Sequence, residues 1–335
     1  MMTGTKWVAA ATLALAMLGG GQAEAKVTLS IGGASCLCYL PTVLAQQLGL
    51  FEKAGVEVDT VDFKGGSQAL TAVIGGSADV VSGYFDHTVE LAAKQQNLTS
   101  FVVYDRFPGL VLVVAPGEGG SITKVSDLAG KKVGVSAPGS STDFFLKYEL
   151  KKAGLKPDAA AVVGVGLGAT AVAAMEHGQI DAAVMLDPAV TILQTQHKDL
   201  KILVDTRSEA DTMAAFGGAY PGGALYARAD WIAGHAKEVQ AMTDAMLETL
   251  QWIHTHSAEE IMAKMPPAMV GKDKDTYLAA LKQTIPMYSQ NGLMDPKGAQ
   301  AVLEVFSVGD PSVAQANINL QNTYTNKFVE DAKIK

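Results

Sequence analysis

The chain of 335 residues carries 34 acidic and 26 basic side chains, a formal net charge of −8, and 48% of its residues are hydrophobic. The acidic balance argues against a nucleic-acid partner, which would need a basic face. The length is enough for two domains of ordinary size.

Residues 1–25 read as an export signal: Lys6 supplies a positive start, Trp7 to Leu18 an apolar core, and Ala23, Glu24 and Ala25 a small-x-small cleavage site. The apolar core is short for a bilayer span, and no cysteine near the cleavage point indicates a lipid anchor. The expected mature chain starts at Lys26 and resides in the periplasm.

Residues 27–31 alternate like a strand and run into the small-residue loop 32–38. The stretch 39–54 has helical spacing, with Pro41 in its first turn and Gly55 as its C-terminal cap. A strand over 56–61 leads to Lys64, Gly65, Gly66 and Ser67, then to a short helix over 68–74 and a strand over 78–81. Strands alternating with helices predict a parallel sheet covered on both faces. Cys36 and Cys38 are the only cysteines. A disulfide two residues apart closes a very small ring, and a thiolate metal site lacks further ligands at suitable spacing. They are read as small residues lining a loop.

The apolar run 132–136 then passes through Ala137, Pro138 and Gly139 into Ser140, Ser141 and Thr142, with an amphipathic pattern over 143–153. A strand, a tight turn and a hydroxyl-rich helix start offer free backbone N–H groups to an acceptor ligand. Plain N-capping by Ser140 or Ser141 is the simpler alternative. The same design recurs, because residues 66–81 and 168–183 coincide without a gap in glycines, small apolar positions and an aspartate, Asp79 and Asp181. Two related units imply two similar lobes. Ligands of open parallel sheets sit beyond the carboxyl ends of the strands. The loops 32–38, 64–67, 137–142 and 166–170 would then converge on one cleft.

The Gly/Pro-rich segments 115–120 and 217–223 are composed like hinges. The expected division is therefore 26–116 with 222–335 as lobe 1 and 117–221 as lobe 2. Long helical patterns over 231–257, 275–290 and 296–306 would complete the first lobe.

A rival reading comes from Gly164, Gly166, Gly168 and Ala169, which follow a strand and open a helix, with Asp187 near the place of a ribose-binding acid. That pattern would suit an NAD-dependent oxidoreductase. An exported protein would not meet a free nicotinamide pool, and the matching loop of the first lobe lacks the fingerprint. Asp86 and His87 look like a dyad, but neighbouring residues on one element point different ways. No nucleophile elbow or phosphate loop occurs, so no catalytic residue, cofactor or metal is expected.

The chain resembles the periplasmic solute-binding proteins of ABC importers, in the group handling nitrate, sulfonates, taurine and thiamine-precursor pyrimidines. The resemblance is carried by 65–67 through 77–79, by 127–135, by Met185, Leu186, Asp187 and Pro188, and by 324–329. It implies an α/β, type II periplasmic binding protein-like fold: two pseudo-symmetric lobes with mainly parallel sheets joined by two hinge crossovers. It implies a membrane permease as partner, and a monomer is expected. Family contact positions would be Ser35 to Tyr39, with Ser35, Cys36 and Tyr39 foremost, Gly66 and Ser67, Ser140, Ser141 and Thr142, and Asp187. From the residues themselves, Tyr39, Tyr84, Phe85 and Tyr220 could stack on a flat ligand, His87 could line the cleft, and Asp86 and Asp187 could receive an amine or ring N–H. Lys64 is the only cation near these loops, which favours an organic solute with donor and acceptor groups over an inorganic anion. A sulfonate, an amino-sulfonate or a pyrimidine-like compound would fit.

Overall fold

A computed structural model describes residues 26–333, so the export-signal reading of residues 1–25 lies outside the described residues. The chain first lays down β1 (Val27–Ile31), β2 (Val58–Asp62), β3 (Val80–Tyr84) and β4 (Leu98–Val103). It then builds β5 (Val111–Val114), β6 (Lys132–Val135), β7 (Ala161–Gly164), β8 (Ala182–Met185) and β9 (Ile202–Asp205), and returns for β10 (Gly223–Arg228). Among the described residues these form two five-stranded sheets, ordered β2-β1-β3-β10-β4 and β7-β6-β8-β5-β9. In each, the fourth strand alone runs against the rest. That strand is the one the chain delivers as it arrives from the other lobe.

The two lobes therefore share one topology, and the duplicated aspartates show why the pattern persists. Asp79 exchanges main-chain contact with Thr28 and accepts the Thr28 N–H on its carboxylate at 2.8 Å. Asp181 does the same for Lys132 at 2.7 Å. Each locks the start of its first strand to the third, satisfying an N–H that would otherwise be left at the sheet end.

The crossovers differ from the expectation in one respect. β5, assigned to lobe 1 by the sequence division, is hydrogen-bonded between β8 and β9 of the second sheet. The first crossover is thus 104–110, and the Pro/Gly segment 115–120 is a turn inside the second lobe. Glycine and proline mark turns wherever they fall, and composition alone does not say which turn changes sheets. The second crossover, 217–222, knits to the first. Gly222 N–H donates to the Asp105 carbonyl at 3.0 Å, and Gly223 N–H donates to the Asp105 carboxylate at 3.1 Å. A Cβ on Gly223 would lie 2.0 Å from Tyr104 Cε2, so only glycine allows this approach.

The helix Ala236–Thr255 packs through Met242, Met246 and Leu250 on one face of the first sheet, with Leu29, Val80 and Leu225. The helix Pro296–Gly309 covers the other face through Val302 and Phe306, with Val81 and Tyr226. It also packs on the helix Ser141–Lys152 of the second lobe. The single helical pattern expected over 39–54 breaks at Gly49, whose φ of 66° starts a new turn, and that over 231–257 breaks at His235.

Candidate functional site

The carboxyl ends of β1, β3 and β6 point their loops at one another, and the lobes meet there through polar groups. Ser141, in the first turn of the helix Ser141–Lys152, donates its hydroxyl to Asp86 Oδ1 at 2.8 Å. Tyr220, from the second crossover, donates to Asp86 Oδ2 at 3.2 Å. Ser67 donates its hydroxyl to the Pro138 carbonyl at 3.0 Å, and Leu37 N–H donates to the Asp187 carbonyl at 2.9 Å. Ser35 faces Gly168, its Oγ 2.8 Å from where a Cβ there would stand. Residues predicted from both lobes are thus brought together.

Between the lobes lies a cavity of about 20 Å³, lined by Tyr39, Gly66, Tyr84, Ser140, Ser141 and Thr142, among others. A single water needs about 10–15 Å³, so the site as it stands holds about one water and no organic solute. Entry of a larger molecule requires the lobes to part.

Ser140 and Thr142 do not point freely into that space. With Ser136 their hydroxyls form a triangle, at 2.7 Å from Ser136 to Ser140, 2.8 Å from Ser140 to Thr142 and 3.0 Å from Ser136 to Thr142. Ser140 is the N-cap residue but makes no side-chain cap; its hydroxyl donates to the Ala137 carbonyl at 2.7 Å. Asp143 performs the local duty instead, accepting Gly139 N–H at 2.7 Å.

Asp86 and His87 begin the helix Asp86–Ala93, and each is 1% exposed. His87 Nε2 stands 3.9 Å from Asp86 Oδ1, too far for a hydrogen bond. Among the described residues neither ring nitrogen of His87 has a partner. Burial pushes the Asp86 carboxyl up from its ordinary range, against the opposing pull of His87, Ser141 and Tyr220. Burial pulls the His87 imidazolium down, partly offset by Asp86. The His87 ring lies edge-on to Phe144 at 5.9 Å and within 3.6 Å of a Cβ placed on Gly66.

Three expectations need correction. Asp187 does not offer its carboxylate to a ligand, because Oδ1 accepts Thr191 N–H and hydroxyl at 2.9 and 2.7 Å and Oδ2 faces Arg207 at 3.3 Å. Only its carbonyl reaches the first lobe. Cys36 and Cys38 are not plain loop residues but are joined as a disulfide. Phe85 is core, set edge-on to Tyr324 at 6.3 Å, whereas Tyr84 and Tyr39 meet edge-on at 6.4 Å in the cavity wall. The glycine run behind the dinucleotide reading is spent on the lobe contact. Gly168 lies against Ser35, and Gly166 lies against the Lys64 carbonyl.

Sequence reasoning missed Asp105, Ser136 and Arg207. Ser136 follows β6 directly and reads like any serine after a strand, and Arg207 is far from the loops in sequence. Arg207 is also no free cation, since Asp205 accepts from it at 2.7 Å and Asp187 at 3.3 Å. Among the described residues no group of three or more His, Cys, Asp and Glu could hold a metal ion.

An aromatic groove of about 270 Å³ lies behind this cluster, between Phe144 and Phe145 of the second lobe, Phe216 and Tyr220, and Phe306. Of the predicted site residues it includes only Tyr220.

The sequence pattern described as NMT1/THI5 like matches residues 39–260. A solved structure of a protein from Bordetella bronchiseptica RB50 shares 37% identity over 91% of this chain and 96% of its own, with a TM-score of 0.88. The taurine-binding periplasmic protein of Escherichia coli (strain K12) is 29% identical over 167 residues, 50% of each chain. The alkanesulfonate-binding protein SsuA from Xanthomonas axonopodis pv. citri, solved bound to MOPS, has the same fold at a TM-score of 0.68, with 17% identity over 90% of this chain and 98% of its own. One relative, from Schizosaccharomyces pombe, is named as an enzyme, a pyrimidine phosphate synthase, at 27% identity over 45% of its length. The chain spans about half or less of the length of the curated relatives it matches.

Proposed function

Because the chain belongs to the NMT1/THI5-like family, we propose that it is the substrate-binding subunit of an ABC-type importer, capturing a small organic solute between its lobes. The observation that carries this reading is the meeting of Ser141 with Asp86 across the cleft, beside loops whose cavity is too small to admit a solute while closed. A molecule that enters an open form and bridges the same groups would shift the lobes toward closure.

The groups around the cavity and at the adjoining lobe contact support one class of solute. Hydroxyls of Tyr39, Ser140, Ser141 and Thr142 can donate or accept, Asp86 can only accept when ionised, and Arg207 is held by two carboxylates. A sulfonate, an amino-sulfonate or a pyrimidine-like compound with both donor and acceptor groups suits that set. The taurine-binding and sulfonate-binding relatives favour the same range. Micromolar affinity needs about 8 kcal/mol, and a hydrogen bond to a charged group contributes roughly 1.5–3 kcal/mol. Several loops must therefore act together, which both lobes' contributions allow.

This reading places the mature protein in the periplasm, processed after Ala25, handing its solute to a membrane permease. Intact-mass analysis of exported protein tests the first part, with a chain starting at Lys26 expected and one retaining Trp7 contradicting it. Calorimetry with the solute identified in purified protein tests the second. Saturable binding at one site per chain is expected, and its absence in folded protein would overturn the assignment.

A further inference from the structure

The residue between the two cysteines carries bonds to both sides of the molecule. Leu37 N–H donates to the Asp187 carbonyl of the second lobe at 2.9 Å, and the Leu37 carbonyl accepts from the Tyr288 hydroxyl at 2.7 Å. The disulfide holds this loop as one small ring, with Cys38 N–H turned onto Cys36 Sγ at 3.2 Å. The far anchor is fixed as well, since Asp187 is held through its carboxylate by Thr191 and Arg207. The orientation of the Leu37 peptide groups, and with it one of the bonds that close the cleft, thus depends on the covalent ring.

We propose that Cys36–Cys38 is a thiol–disulfide exchange site whose reduction by a dithiol loosens the closed cleft. The proposal rests on reading the cleft between the lobes as the ligand site, and it adds a redox control to that site. The step balances as ordinary exchange. A thiolate of the dithiol attacks one sulfur, a mixed disulfide forms, and the other sulfur leaves as thiolate. The second thiol of the reductant then displaces the first cysteine. The protein gains two electrons and two protons, and the dithiol becomes a disulfide. No other cysteine exists to capture either sulfur.

Access is gated by the same closure. Cys36 is 1% and Cys38 2% exposed, but Cys38 borders both small cavities that flank the lobe contact. A reductant meets the sulfurs only when the lobes part. The open form is therefore the reducible one, and a protein closed on its solute is protected.

The test uses the full mature chain without added ligand. Dithiothreitol is added to folded protein, alkylation and intact mass count the thiols, and hydrogen exchange by NMR follows the Leu37 amide, with Val80 in β3 as control. The expected result is no thiol before reduction and two after it. Leu37 exchange should then be faster by roughly tenfold or more while Val80 is unchanged. A Cys36→Ser/Cys38→Ser variant should show the same fast Leu37 exchange without reductant. Free thiols in protein purified without reductant, a disulfide that survives dithiothreitol in the native state, or unchanged Leu37 exchange with both thiols alkylated would each overturn the proposal. Failure of the cleft as a ligand site would appear elsewhere, as a solute bound away from Tyr39 and Ser141, and leaves these readouts unaffected.

Discussion

Asp86 and Ser141 stand 2.8 Å apart across the cleft, so that a carboxylate of the first lobe accepts from a helix start of the second. Tyr220, carried by the chain between the lobes, donates to the other oxygen at 3.2 Å. One carboxylate thus joins both lobes and a crossover.

Asp86→Ala removes the acceptor for both hydroxyls. We expect solute affinity to fall roughly 10- to 100-fold, from the loss of hydrogen bonds to a charged group. Solute-free protein should also melt lower, because the buried Ser141 and Tyr220 hydroxyls lose their acceptor, a cost of about 1–3 kcal/mol for a stranded donor that is partly offset because burial already opposes the Asp86 charge. Calorimetry beside a thermal melt checks both. Undiminished affinity would remove Asp86 from the closure.

Replacing Ser140 and Thr142 together by Ala opens the hydroxyl triangle and strips the Thr142 acceptor from Ser136 N–H, 2.9 Å away. A buried N–H without a partner costs about 1–3 kcal/mol of stability. Solute binding should weaken by roughly 2–4 kcal/mol if the same hydroxyls turn to a charged ligand on closure. A folded double variant that binds as tightly as wild type would show that the triangle is structural only.

Glu149 is buried on the helix Ser141–Lys152 with Oε1 unpartnered, and burial pushes its carboxyl up to about 7 despite Lys152 at 3.9 Å. Between the ordinary carboxylate range and that value, the folded protein holds a proton that the unfolded chain releases. Stability contributed by this group therefore falls as pH rises through that window and is level above it, by at most about 3 kcal/mol. Glu149→Gln should remove that slope and melt higher than wild type at pH 8. Equal pH profiles for the two proteins would refute the assignment.

Gly223→Ala places a Cβ 2.0 Å from Tyr104 and 2.4 Å from the Asp105 carboxylate, where the crossovers touch. Overpacking of a buried contact costs roughly 1–3 kcal/mol or more. Denaturant unfolding should report that loss, whereas Gly66→Ala, with contacts of 3.6 Å and beyond, should keep the fold.

The topology was legible because it is local and repeated. Strand, loop and helix alternate with clear periods, and Asp79 and Asp181 recur because each caps the same strand start. The converging loops followed from that topology. The hinge did not, because its specificity lies in Gly223 meeting Asp105 across 118 positions of chain, and no local composition encodes such a contact. Asp187 sits at the expected place, yet its carboxylate is consumed by Arg207, whose role depends on the folded second lobe. The disulfide was not legible, because cysteines two positions apart close a very small ring and only the folded loop brings their sulfurs together.

The most direct test is native mass spectrometry of the mature protein purified gently from cells, alongside a Tyr39→Ala/Ser141→Ala variant shown to be folded. Both substituted side chains line the cavity between the lobes. One small organic molecule bound per wild-type chain, and its loss from the variant, is the expected result. A molecule retained equally by both proteins would place the ligand outside the cleft and overturn capture between the lobes.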